Sequence, residues 1–288
     1  MGIFRDEAVI FTGTDLKRHC CHTFTVTRAG IPRELDPKTM NTPTVLGCAV
    51  VGAGRLGTAL VAALRAAGVP VAGPFTHGFD GAGYDVVLLC VPDARIAEAA
   101  AALTARTGLL VGHTSGATGL DVLGPHEAFA LHPLMTVPRE GARFAGAGCA
   151  VAGTTAAALA TATTLATVLK MIPAQIADED RAAYHAAASI ASNFLVTLED
   201  AAEQLLATTG AARELLVPLV QATVANWAQQ GGSAALTGPI ARGDEDTVAR
   251  QRAAVAQRTP ELVSLFDVLA DRTRALAGHE GVAAAGAA

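Results

Sequence analysis

Val50-Val51-Gly52-Ala53-Gly54-Arg55-Leu56-Gly57 is the stretch whose reading decides the fold. It follows an apolar run over 45–51 that reads as a short strand. It opens a run over 56–67 with helical periodicity, closed by Gly68. In a G-x-G-x-x-G between a strand and a helix each glycine has its own task. Gly52 makes the tight turn, Gly54 lets a phosphate come up to the backbone, and Gly57 lets helix and strand pack closely. Ala53, Arg55 and Leu56 complete the turn. The first N–H groups of such a helix have no partner within it, and with the helix dipole they favour an anion.

Outward from this turn, strand and helix alternate. Residues 69–74, 85–91, 109–112, 128–131 and 149–152 read as strands. Residues 94–106 read as a helix that Asp93 can cap. Continuous apolar strands between helices imply a mostly parallel sheet covered on both faces. After about residue 177 no strand-like run occurs, and alanine- and leucine-rich helical segments follow at 179–208, 211–230, 244–257 and 260–277. The expected fold is α/β, a doubly wound Rossmann sheet over 44–177 followed by an all-α domain over 178–288. Residues 1–43 read as an irregular, polar extension, with Met40 a second possible start, and residues 281–288 as a disordered tail.

The 288 residues are 51% hydrophobic and 16% charged, so the chain is expected to fold. A net charge of −5 without a basic run argues against nucleic acid. The uncharged stretch 144–169 is long enough to raise a membrane span, but its glycines and threonines fit a strand, a turn and an alanine-rich helix better. The five cysteines are odd in number, and Cys48, Cys90 and Cys149 sit in apolar runs as free thiols do. The opening residues lack a secretory h-region, which fits a cytoplasmic protein. His19-Cys20-Cys21-His22 has no second ligand pair to converge on a metal, so none is expected.

A site preferring NAD usually has an acid about 20 residues beyond the glycine turn. Here Gly73-Pro74-Phe75-Thr76-His77-Gly78 holds none before Asp80. Thr76 is placed to hydrogen-bond a 2′-phosphate, and His77 or Arg55 to add positive charge. NADP is therefore expected over NAD, although a solvated loop position explains His77 nearly as well.

Three further segments carry polar groups. Gly112-His113-Thr114-Ser115-Gly116-Ala117 and Leu131-His132-Pro133-Leu134 stand at strand ends, where ligands of open α/β sheets bind. His185, Ser189 and Asn193, spaced i, i+4, i+8, share one face of a helix. His113 is expected to face the sheet or its own backbone.

Taken with Val91-Pro92-Asp93, Tyr184-His185-Ala186-Ala187-Ala188 and Leu236-Thr237-Gly238-Pro239-Ile240-Ala241-Arg242-Gly243-Asp244, these segments resemble Rossmann-like proteins with a DUF2520 C-terminal domain, over about residues 45 to 275. That group belongs to the 6-phosphogluconate-dehydrogenase-like oxidoreductases. The resemblance implies an NADP-dependent reductase fold, with Val91 and Pro92 beside the cofactor and dimerisation through the helical domain, but no settled substrate. Many members of the superfamily use a helical lysine as acid/base. The last lysine here is Lys170, ahead of the helical domain, so histidine is the natural substitute. His132 is also similar to the His-Pro strand end of prephenate dehydrogenases.

The expected chemistry is hydride transfer between NADP(H) and a carbonyl, imine or alcohol carbon of a small, carboxylated metabolite. His132 or His185 handles the proton, and Ser115 and Asn193 orient the oxygen or nitrogen. Thr237 and Arg242 are candidates for a substrate carboxylate, against the plainer reading that Asp244 there caps a helix. Trp227 is assigned to packing or a dimer interface. A ketopantoate- or pyrroline-carboxylate-type reductase is the nearest alternative, the ketopantoate version weakened by the missing lysine. A dinucleotide-binding regulator without turnover is the alternative of another class.

Overall fold

The computed structural model describes residues 47–138 and 141–285, with side chains described as far as residue 278. The His19–His22 cluster, Met40 and the rest of the expected extension lie outside them. β1 (Cys48–Val51) and β3 (Val86–Leu89) are apolar at every position and buried at every position, as strands covered on both faces must be. Around them lie β2 (Val71–Phe75), β4 (Leu110–His113), β5 (Glu127–Leu134), β6 (Gly148–Gly153) and β7 (Ile172–Gln175). Among the described residues these form one seven-stranded sheet in the order β2-β1-β3-β4-β5-β6-β7. The first five strands run parallel, β6 runs antiparallel to β5, and β7 follows β6.

Period-two side chains split the core into two layers. Cys48 and Val50 face Leu60 and Leu64 of α1 (Arg55–Ala66), together with Leu165 of α3 (Ala156–Val168). Ala49 and Val51 face Ile96 and Ala100 of α2 (Ile96–Ala101), with Leu123. Leu60 and Leu64 are almost wholly buried, and such a side chain contributes about 1.5–3 kcal/mol. The stretch 144–169 folds as β6 and α3, and no described helix is long and apolar enough to cross a membrane. Cys48, Cys90 and Cys149 are free thiols whose pKa burial pushes up to about 12, so they act as small hydrophobes.

Four details depart from the sequence reading. The helix expected over 94–106 shrinks to a 3₁₀ turn at Asp93–Arg95 and the short α2. Thr104 donates its N–H to the Asp80 carbonyl at 2.9 Å, which draws the chain out of the helix. Asp93 does not cap it, because its carboxylate is held by Ser115. β7 has four exposed residues and a proline, so it shows no alternation and forms an edge strand. The tail expected to be disordered from 281 is helical through 285, as the end of an alanine-rich helix.

The helical segments begin with a 3₁₀ turn at Asp178–Asp180 and continue as α4 (Arg181–Ser189), a π-helical turn (Ile190–Phe194) and α5 (Leu195–Ala207). Then come α6 (Val217–Gln230), α7 (Gly232–Ala235), α8 (Glu245–Arg258) and α9 (Val263–Ala285). Asp244 caps α8 by accepting the Thr247 N–H at 3.0 Å.

Candidate active site

The glycine turn lies where the strand order reverses between β1 and β3, the usual crevice of a doubly wound sheet. Gly52 has φ 113°, and a Cβ there would lie 2.2 Å from the Cys90 carbonyl oxygen at the end of β3. A Cβ on Gly57 would lie 2.0 Å from the Gly52 carbonyl oxygen, so helix and turn are in backbone contact. Gly54 has nothing within 4 Å of such an atom and faces open space. No side chain caps α1 and no acid lies in its first turn. Ala53, Gly54 and Arg55 are exposed, with Leu56 half-buried behind them. This arrangement fits a pyrophosphate on backbone amides.

At the end of β2, Thr76 and His77 are exposed on a turn braced by the stacked rings of Phe75 and Phe79, 4.1 Å apart. Glu98 lies 3.8 Å from His77 but is taken up by Arg95 at 2.6 Å. Val91 is half-buried and Pro92 exposed at the start of the loop after β3, next to Gly52 across the crevice.

After β4 the chain makes a tightly bonded loop. His113 is fully buried and accepts the Ser115 N–H on Nδ1 at 3.2 Å, while Nε2 donates to the Gly119 carbonyl at 3.2 Å. An amide can only donate and a carbonyl only accept, so the ring is the neutral Nε2–H tautomer. Burial, the largest influence, holds its pKa down, against the Gly119 bond. The Ser115 hydroxyl donates to Asp93 Oδ2 at 2.7 Å and accepts N–H bonds from Ala117 and Thr118. It is thus committed to the loop and 6% exposed.

His132 lies inside β5, opposite Ala150 of β6, rather than beyond the strand's end. Its Nδ1 is 2.8 Å from the hydroxyl of Tyr184 on α4, and the ring of His185 stands at 6.2 Å, nearly edge-on. The two imidazoles meet over Gly116, where a Cβ would lie 2.8 Å from His132 Cε1 and 2.8 Å from His185 Cδ2. Burial, then the charges of His185 and Arg181, push the His132 pKa down to about 4. Burial also pushes the Tyr184 hydroxyl up to about 12. His132 is half-buried and His185 exposed, so one ring faces the interior and the other faces solvent.

Of the other expected residues, Asn193 is exposed on the π-helical turn. Such a turn holds an extra residue, so the i, i+4, i+8 arithmetic from His185 through Ser189 does not carry through it. Thr237 and Arg242 are exposed around the 3₁₀ turn before α8. Among the described residues no hydrogen bond joins Asn193, Thr237 or Arg242 to the histidines. A groove of about 400 Å³ beside Asp121, Thr154 and Gln175 shares Leu120 and Asp178 with this region but holds no histidine. The ionisable side chains His113, His132, Tyr184 and His185 converge instead around Gly116 and the loop after β4.

Residues 147–273 match DUF2520, a domain of unknown function, and residues 76–138 match a Rossmann-like domain. The solved structures bear out the fold. A protein from Thermotoga maritima superimposes with a TM-score of 0.69 at 22% identity, over 81% of this chain and 99% of its own. A provisionally named NADP oxidoreductase from Bacteroides fragilis gives 0.67 at 20% identity, over 80% and 98%. A reductive aminase from Aspergillus terreus, in complex with NADPH and ethyl-5-oxohexanoate, gives 0.58 at 16% identity, over 80% and 93%. No curated protein sequence matches the chain.

The sequence reading missed the partners that hold α4 against the sheet. Arg181 is 2% exposed and donates from Nε to Asp178 Oδ1 at 2.6 Å, while Asp178 Oδ2 accepts the Leu120 N–H at 2.9 Å. Burial alone would raise the Asp178 pKa, but the Leu120 amide and Arg181 hold it below the ordinary carboxylate range. One signal was there to be read: Arg181, Tyr184 and His185 stand at i, i+3 and i+4, one face of a helix.

Proposed function

We propose that the protein is an NADP-dependent oxidoreductase that transfers a hydride between NADP(H) and a carbonyl, imine, hydroxyl or amine carbon of a small metabolite. The observation that carries this reading is the pairing of an open amide turn at Gly54 with two imidazoles at the same edge of the sheet. Three strand spacings separate β1 from β5, about 14 Å, so a dinucleotide seated on the turn extends along the strand ends toward His132. When bound, the cofactor supplies or takes up the hydride. Thr76, His77 and Arg55 are the groups for a 2′-phosphate, and Val91 and Pro92 line the crevice.

With Tyr184 donating to Nδ1, the proton of neutral His132 sits on Nε2, at the edge beside Gly116. From there it hydrogen-bonds the substrate oxygen or nitrogen and fixes the reacting carbon. A ring held near pKa 4 offers little imidazolium at neutral pH, so His132 acts as a neutral donor and the proton-transfer role is assigned to exposed His185. Ser115 supports the loop under both rings. Asn193 is assigned to orienting the substrate's oxygen or nitrogen, and Thr237 and Arg242 to a substrate carboxylate.

The sheet part over 44–177 carries the cofactor and the helical part over 178–288 completes the site and forms a homodimer. Ile190, Phe194, Leu219 and Trp227 are each more than half exposed on the π turn and α6, the kind of surface a second copy covers. Light scattering on the pure protein tests the dimer.

The function is tested by titrating NADPH and NADH calorimetrically, then following cofactor oxidation over a panel of oxo acids, with and without ammonia or amines. Turnover with at least one member is expected. NADPH binding without turnover across the panel would move the protein to the regulator class.

A further inference from the structure

Arg181 is among the largest side chains buried in the molecule, at 2% exposure. Its guanidinium reaches Asp178, and through that carboxylate the amide of Leu120. Leu120 ends the loop whose Gly116 lies beneath His132 and His185 and whose Gly119 carbonyl holds His113. One turn further along α4, Tyr184 meets His132. The first turn of α4 and the loop under the imidazoles are therefore fastened to each other at one point. We propose that Arg181 is a positioning residue: anchored through Asp178 to the Leu120 amide, it seats Tyr184 on His132 Nδ1, and its buried charge keeps that imidazole neutral and facing Gly116.

Clamping alone does not account for this arginine. Asp178 is 43% exposed, so water screens its pair with Arg181 and the pair contributes little net stability. Arg181 also leaves Nη1 buried with no partner among the described residues, an arrangement that costs stability. What an apolar pair would not supply is a positive charge beside three titratable groups. The charged and titratable groups facing His132 are His185 and Arg181 on α4, Asp93 after β3 and His113 on β4, with Tyr184 on its Nδ1. Cys149 of β6 also acts on Tyr184 and opposes its ionisation. Arg181 opposes protonation of His113 and His132; on Tyr184 its charge favours the anion, but burial outweighs it and keeps the phenol a donor.

This inference rests on the oxidoreductase reading for its purpose, but not for its test. The imidazole Cε1–H resonances of the full chain are followed by NMR against pH, with His132→Gln giving the assignment, in wild type, Arg181→Met and Arg181→Lys. NADPH affinity and the thermal transition report whether each variant folds. Arg181→Met is expected to raise the His132 midpoint by roughly half a pH unit, and Arg181→Lys to leave it near wild type. Arg181→Gln, which keeps a donor for Asp178, takes the place of Arg181→Met if that variant does not fold. An unmoved midpoint in the neutral variant overturns the proposal, as does an equal shift in Arg181→Lys, which would assign the effect to packing. If the midpoints behave as expected but the wild type oxidises NADPH with no substrate, the oxidoreductase reading falls and the positioning geometry stands.

Discussion

The glycine turn after β1 and the histidine cluster around the loop after β4 and the C-terminal half of β5 lie at the same edge of one sheet and are built by opposite means. At the turn, side chains are absent: Gly52 and Gly57 have backbone within 2.2 Å of where a Cβ would be, and Gly54 has nothing there at all. At the cluster, almost every polar side chain is occupied by another, Ser115 by Asp93, His132 by Tyr184, Arg181 by Asp178. Backbone donors cannot titrate and need no partner to orient them. Imidazoles can move protons, but only if neighbours fix their tautomer and charge. A cofactor's phosphates call for the first kind of site and a reacting heteroatom for the second.

The largest expected effect breaks the turn itself. Gly52→Val places a branched side chain at φ 113° and against the Cys90 carbonyl, and should cost about 3–5 kcal/mol in a denaturant titration. An unchanged midpoint would mean that β1 and β3 do not meet there. Next comes the cluster. His132→Ala should lower the rate of hydride transfer about 10²- to 10⁴-fold while leaving the NADPH Kd within a few fold. Equal losses in both measurements would erase the division of labour between the regions. Smaller again is Gly54→Val, which should leave the thermal transition in place and weaken NADPH binding about a hundredfold by masking the amides. Calorimetry showing wild-type affinity would dislodge the pyrophosphate from the turn.

How far each region could be read in the sequence follows from the same contrast. The turn is local: eight consecutive residues fix its geometry, so the role of each glycine is legible in the sequence alone. The doubly wound order is legible too, because buried parallel strands such as Val86–Leu89 are apolar throughout. The cluster is not local. Its hydrogen bonds span 22 residues from Ser115 to Asp93, 52 from His132 to Tyr184 and 58 from Leu120 to Asp178. Sequence could nominate His132 and His185 by strand end and helix face, but could not show that Ser115 is spent on Asp93. Asn193 was placed by regular helix arithmetic that a π turn breaks, and β7 hid because an exposed edge with a proline leaves no apolar pattern.

The smallest of these effects separates the regions without any ligand. His132 is held near pKa 4 by burial, by His185 and by Arg181, against an ordinary 6.5. Between those values the unfolded chain takes up a proton that the folded chain refuses. The contribution is therefore fully present above about pH 6.5 and is lost as pH falls toward 4. From pH 7 to pH 5 His132 should account for at most about 2 kcal/mol of lost stability. His113, lowered chiefly by burial, acts in the same direction. Urea titrations at pH 7, 6 and 5 should show this slope in the wild type and in Gly54→Val, and a shallower one in His132→Ala. The turn consists of amides that do not titrate, so altering it must leave the slope alone. Equal slopes for wild type and His132→Ala would mean that the imidazole charges as freely in the fold as in the open chain, and it would then be free to act as an acid in its own right rather than as a neutral donor set by its neighbours.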